Sequence, residues 1–171
     1  MDLKIPITEN INDCKAGEWV ELSGSLVVMR DAAHKRLLEA NNPAAELSLD
    51  MAGQVIFYAG PTNSIVEGQG QGVIGPTTSA RMDRYVEAML KLGVKGFLGK
   101  GPRGDEVAGL MKEYGAIYLA TVGGAAALLS KFVKQATIIA YRDLGPEAIY
   151  HLEVAKFPAI IAIDARGKSI F

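Results

Sequence analysis

The sequence predicts an α/β domain built on a mostly parallel central sheet. Three features point there. Short runs rich in β-branched residues, each long enough for one buried strand, alternate with segments whose apolar residues recur at helical spacing. Glycine, nineteen residues in all, gathers with proline where those runs end. No repeat, low-complexity stretch or linker-like change of composition divides the 171 residues, so 1–171 reads as one domain, long enough to bury a real core.

Residues 19–29 (WVELSGSLVVM) mix alternation with β-branched side chains and predict a strand. A short helix follows over 31–40, with Asp31 favourably placed at its N-terminal end. Residues 54–58 (QVIFY) form a buried strand closed by Ala59-Gly60-Pro61, and 62–75, with four glycines, form a loop. Over 80–92, Met82, Tyr85, Val86, Met89 and Leu90 recur at helical spacing while Arg84, Glu87 and Lys91 take the wet side; Asp83 and Glu87 are expected to pair locally along this helix. A strand at 94–98, a helix at 105–114, a strand at 116–121 and a helix at 125–133 continue the alternation. Residues 137–141 are another apolar, β-branched run, and the C-terminus reads as a strand over 159–164 with a hairpin to 169–171. The more strand-like first third admits a second sheet or an antiparallel edge.

A net charge of −1 and a pI of about 6.1 remove the electrostatic case for nucleic acid or an anionic membrane. The N-terminus has no basic segment followed by an apolar run, and stretches such as 159–163 are too short to span a bilayer. The expected location is cytoplasmic. One cysteine, Cys14, excludes an internal disulfide and a thiolate metal cage made by this chain alone, so no metal ligand is assigned here.

Three predicted strand ends carry polar groups: Arg30-Asp31-Ala32-Ala33-His34, Gly75-Pro76-Thr77-Thr78-Ser79-Ala80-Arg81-Met82-Asp83, and Gly99-Lys100-Gly101. Carboxyl ends of parallel strands converge on one edge of a sheet, where ligands bind. Arg30, Thr77, Thr78, Arg81 and Lys100 are thereby candidates for one site. A helix starting near Thr77 would offer hydroxyls and free N–H groups to an anion and set Arg81 one turn on, on the same face. Two guanidiniums and an ammonium suit a small dianion, because arginine grips a carboxylate through two parallel hydrogen bonds. The competing view makes Thr77-Thr78-Ser79 a plain helix cap, Arg81 a surface ion pair and Lys100 a turn lysine in solvent. The Gly99-Lys100-Gly101 turn lacks the spacing of a phosphate-binding loop. Gly123-Gly124 suits close helix–strand packing, His34 a structural role holding the Arg30 turn, and Cys14 an ordinary thiol.

As an ordered set, the Arg30–His34 motif, Tyr58-Ala59-Gly60-Pro61, the Gly75–Asp83 motif, Gly99-Lys100-Gly101 and Gly123-Gly124-Ala125-Ala126 resemble the β subunit of class I fumarases, which is also the C-terminal domain of single-chain members. The likeness runs from about Gly17 to Phe171, with Leu144–Ile149 and Leu152–Pro158 similar to the family's C-terminal segment, although Pro146 stands where methionine is frequent. The resemblance implies a swivelling β/β/α fold and reversible hydration of fumarate to L-malate. It implies a four-iron (4Fe-4S) cluster held by a partner α subunit and not by this chain, in a complex of two α and two β chains. It also implies that Arg30, Arg81 and Lys100 grip the dicarboxylate, and that Thr77 is the base removing the C3 proton, with Thr78 beside it. Lys100 or a group of the partner remains an alternative base. Two other expectations stand: the β subunit of L-tartrate dehydratase, with the same fold and the same Gly-Pro-Thr-Thr motif, and a non-catalytic dicarboxylate-binding module.

Overall fold

The computed structural model describes residues 1–61, 74–121 and 126–171. Nine strands are described: β1 Asp2–Ile5, β2 Trp19–Val28, β3 Val55–Phe57, β4 Ala59–Pro61, β5 Ile74–Pro76, β6 Gly96–Gly99, β7 Ile117–Ala120, β8 Val133–Ala140 and β9 Ile149–Ile163. The helices are α1 Asp31–Glu39, α2 Pro43–Glu46, α3 Asp83–Lys91, α4 Asp105–Tyr114 and α5 Ala126–Leu129. The chain is thus mixed α/β, as its alternating runs predict.

The main sheet has the order β1-β2-β3-β6-β7-β9-β8, and β1, β2, β3, β6 and β7 pair in parallel. β9 runs antiparallel and pairs with β2 as well as β7, which curls the sheet towards a barrel. Side chains alternate across such a sheet. Leu22, Leu26, Val28, Val55, Phe57, Ile117, Leu119 and Phe157 fill the inside, whereas Val27, Ile56, Tyr58, Phe97 and Tyr118 face the helices outside. β3 and β6 are buried on both faces, which is why they read as unbroken apolar runs. Phe157 meets Phe57 and Phe132 edge-on at 5.6 and 6.3 Å. Its truncation to alanine would cost about 3–5 kcal/mol.

The helices form where caps and stripes agree. α3 buries Tyr85, Val86, Met89 and Leu90, the predicted stripe, and its exposed Glu87 and Lys91 pair at 2.7 Å. α4 begins with Asp105 and Glu106 and ends where Gly115 takes φ 56°.

Several expectations fail locally. The helix predicted over 125–133 is one turn, Ala126–Leu129, followed by a 3-10 turn at Ser130–Phe132, and Val133 already opens β8. The last strand starts at Ile149, ten residues before the predicted 159, and Ser169 makes only an isolated bridge to Ile163. β1 was not anticipated. The helix expected near Thr77 starts as a 3-10 turn at Ser79–Met82 and becomes α-helical at Asp83. A second sheet exists as the two-stranded ribbon β4–β5, and the antiparallel edge is β8. Most of the predicted 62–75 loop and Gly123-Gly124 lie outside the described residues.

Candidate active site

The parallel strands β2, β3, β6 and β7 end on one edge, and backbone hydrogen bonds lace their exits together. Met29 N donates to Phe57 O (3.2 Å), Tyr58 N to Leu98 O (2.8 Å) and Thr121 N to Gly99 O (2.8 Å). The ribbon β4–β5 then returns the chain to this edge: Thr77 N donates to Tyr58 O (2.8 Å) and Ser79 N to Lys100 O (3.1 Å). Thr78 and Lys100 form a parallel bridge. Residues 30, 77, 78 and 100, far apart in sequence, therefore emerge on adjoining turns.

Arg30 follows β2 and lies across Gly60 of the ribbon; a Cβ at Gly60 would sit 2.5 Å from Arg30 Nη1. Only glycine leaves that path open. Its Nε stands 4.0 Å from Glu147 Oε1, a distant ion pair, and has no hydrogen-bonding partner. Arg81 is more engaged. Its Nη2 donates to Thr77 Oγ1 (3.0 Å) and Asp31 Oδ2 (3.2 Å), and Nε to Asp31 Oδ1 (3.4 Å). Partial burial works to raise the Asp31 carboxyl, but the hydrogen bond and charge of Arg81 outweigh it and hold the group below its ordinary value. Asp31, expected only to favour the helix dipole, is thus Arg81's counter-ion. Thr78 occupies the cap position of the 3-10 turn, yet its side chain makes no capping bond, so the cap half of the competing view is not supported, while the partly exposed Arg81–Asp31 ion pair is what its other half expects. Lys100 is half-buried and makes no ion pair among the described residues.

Behind the edge stands His34, fully buried and stacked on Tyr85 at 5.1 Å. Its Nδ1 lies 2.8 Å from Arg30 O; a carbonyl only accepts, so the proton is on Nδ1 and Nε2 is bare. Burial, against the opposing pull of that carbonyl, pushes its pKa down to about 4. A neutral histidine pinning the Arg30 turn is the structural role expected of it.

A second buried group was not foreseen. The Arg103 side chain is fully enclosed, its Nε 2.5 Å from Asp83 Oδ1, with the guanidinium 5.1 Å from the Tyr58 ring centre and 4.9 Å from that of Tyr118. Asp83 also accepts from Gly104 N (2.7 Å), so its partners lie across the loop and not along its own helix as expected, whereas Glu87 does pair locally, with Lys91. Tyr118 donates to Gly101 O (2.8 Å), and its hydroxyl meets Ser79 Oγ at 3.0 Å, where serine supplies the proton. The available signal was Gly101-Pro102-Arg103-Gly104 on the same strand exit as Lys100, together with a tyrosine in each of two apolar strand regions.

Among the described residues no three His, Cys, Asp or Glu side chains gather as a metal-ligand set, and Cys14 is buried, its thiol raised by burial. The residues present do not fit a cluster of their own. No helix of the described residues is long and apolar enough to cross a membrane.

Known sequences resemble this chain along its whole length. The family model described as Fumarase C-terminus matches residues 1–171. "Fumarate hydratase 2" of Leishmania major is 38% identical over 176 aligned positions, which take in 100% of this chain and 31% of that protein. "Fumarate hydratase class I, aerobic" of Salmonella typhimurium is 35% identical over 176 positions, 100% of this chain and 30% of that protein. "Putative L(+)-tartrate dehydratase subunit beta" of Methanocaldococcus jannaschii is 38% identical over 168 positions, 95% of this chain and 86% of that protein. The chain spans about a third of the length of the fumarate hydratases and most of the length of the tartrate dehydratase subunit.

Proposed function

The chain belongs to the Fumarase C-terminus family, and from that premise we propose that it is the β subunit of a hydro-lyase that reversibly hydrates fumarate to L-malate, acting as one swivelling β/β/α domain. Its active site is completed by an α subunit. The observation that carries this is the Arg81 Nη2 to Thr77 Oγ1 hydrogen bond on the edge shared with Arg30 and Lys100. A hydroxyl is a poor base unless its alkoxide is stabilised. Because Thr77 Oγ1 accepts from a guanidinium, negative charge on that oxygen is favoured, and its own proton is free to move. Arg30 and Lys100 hold the two carboxylates, with Arg81 shared between substrate, Thr77 and Asp31. In the dehydration direction Thr77, as the alkoxide left once its own proton has passed to solvent, takes the C3 proton. The C3–H electron pair becomes the C2–C3 double bond, the C2 hydroxyl departs and is protonated to water, and the cations stabilise charge that develops on the adjacent carboxylate. Thr78 lies beside the reacting hydroxyl and orients the substrate. The four-iron cluster belongs to the α subunit, and no residue of this chain is assigned to it.

A second reading, the β subunit of L-tartrate dehydratase, is favoured by one observation: the 38% identity to the Methanocaldococcus jannaschii subunit over 95% of this chain. Co-expression with a cluster-bearing α subunit under anaerobic conditions, followed by assays on fumarate, L-malate and L-tartrate, separates the two. Malate formation from fumarate is expected. Activity on tartrate alone would transfer the assignment to the second reading, and dicarboxylate binding by the isolated chain with no turnover in the complex would leave only a binding module.

A further inference from the structure

We propose that Arg103 is a positioning residue, locking the Thr77–Thr78 turn and the Lys100 turn into one rigid unit through Asp83, Tyr58 and Tyr118. It deepens the hydro-lyase reading and rests on it for its catalytic consequence, although the lock itself is independent of any activity.

Three links cross between the two turns. Asp83, the first residue of α3, accepts from Arg103 Nε and Gly104 N of the Lys100 turn. Tyr118 joins Ser79, two residues beyond Thr77, to Gly101, one residue beyond Lys100. Ser79 N donates to Lys100 O directly. The Arg103 guanidinium lies against both the Tyr58 and the Tyr118 rings, at 5.1 and 4.9 Å from their centres, and so joins the two by cation–π contact.

The chemistry argues for a purpose other than filling the core. An enclosed guanidinium is costly to desolvate, and an apolar side chain of similar volume serves stability as well or better. Here Nη1 and Nη2 make no hydrogen bond of good geometry, and the buried Tyr58 hydroxyl interacts with the guanidinium electrostatically. Such an arrangement lies directly beneath the turns that carry the proposed base and the proposed clamp. What it provides is geometry: a planar fork fixed at one edge by a carboxylate and packed against two tyrosine rings. A reacting group displaced by about 1 Å can lose about 100-fold in rate, so a fixed spacing between Thr77 and Lys100 has a kinetic value. Among the described residues Arg103 makes no hydrogen bond or ion pair with either side chain, and acts only through its neighbours.

Hydrogen exchange read by mass spectrometry on the full chain, alone or assembled, tests the lock; steady-state kinetics of the assembled enzyme test its consequence. In Arg103→Ala, amides over 77–82 and 100–104 should exchange at least about 10-fold faster while β3 and β9 stay protected. In the assembled enzyme kcat should fall about 10- to 100-fold and by more than KM rises, because the Arg30 grip lies outside the loosened turns. Methylguanidinium should restore part of kcat, which a general loss of folding would not permit. If Arg103→Ala does not fold, Tyr118→Phe keeps the ring, removes only the hydroxyl links, and should show the same exchange pattern more weakly. Unchanged exchange in a folded variant overturns the lock. Faster exchange with unchanged kcat in an active complex overturns its catalytic role. An inactive wild-type complex with faster exchange in the variant would reject the hydro-lyase reading and leave the lock standing.

Discussion

Arg81 reaches back four residues and donates from Nη2 to the Thr77 hydroxyl over 3.0 Å, while the same guanidinium holds Asp31. One side chain therefore faces a candidate base, a counter-ion and the open edge. That sharing makes the Thr77 oxygen the acceptor of a charged hydrogen bond, the support that the proposed base needs. From it comes the first expectation.

Thr77→Ala in the assembled enzyme should lower kcat by about 10²–10⁴-fold, the range contributed by a positioned acid or base, with KM changed little. Thr77→Ser, which keeps the oxygen, should retain most of the activity. Steady-state kinetics on fumarate and malate check both, and an unaltered kcat in Thr77→Ala eliminates the base assignment.

Gly60→Ala should act on the substrate grip without touching the substrate. The added methyl group lands 2.5 Å from Arg30 Nη1 and 3.2 Å from its Cδ, so the side chain must leave its path. Loss of a charged hydrogen bond is worth about 1.5–3 kcal/mol, and KM should rise about 10- to 100-fold in a protein of normal circular dichroism.

Gly99→Ala should destabilise the chain by about 1–3 kcal/mol, as overpacking does, because a Cβ there collides with Ser79 Oγ and lies 3.2 Å from Tyr58 Cδ2. Urea denaturation measures it. The same displacement would separate Ser79 from Lys100, so turnover should fall with stability.

His34 should make the fold sensitive to mild acid. Its pKa of about 4 lies below the ordinary value of 6.5, so the unfolded chain binds the proton first. Its contribution is complete above about pH 6.5 and is lost as the pH falls towards 4, with a total of about 3 kcal/mol. Comparing urea midpoints of the wild type and His34→Gln between pH 7 and 4 should show a steeper decline in the wild type. Parallel curves would contradict it.

The parallel centre of the fold was legible because β3, β6 and β7 are buried on both faces and so spell short apolar runs. β9 was not, over its first ten residues. That part pairs antiparallel with β2 and β8, exposes Glu153 and Lys156, and takes φ 55° at Lys156, which breaks the alternation. The helix expected over 125–133 misled for the opposite reason: its apolar residues suit a helix locally, but Val133 is claimed by pairing with Val154 of β9. At the site, strand-end logic brought Arg30, Thr77, Thr78, Arg81 and Lys100 to one edge. It could not reveal Asp31 as the partner of Arg81, since nothing in sequence marks a contact between residues fifty positions apart. Arg103 escaped because Gly-Pro-Arg-Gly has the composition of a solvent turn, whereas the side chain turns inward between two tyrosines that emerge from separate apolar runs.

Whether this chain contributes the cationic edge to a shared dicarboxylate site is tested most directly at Lys100, whose ammonium makes no ion pair among the described residues. The measurement is kcat/KM for fumarate in the anaerobically assembled complex carrying Lys100→Met, which keeps the stem and removes the charge. A fall of about 100-fold or more, with the complex intact by gel filtration, is the predicted result, since a charged contact to a carboxylate is worth up to about 3 kcal/mol. A kcat/KM within twofold of the wild type would contradict it.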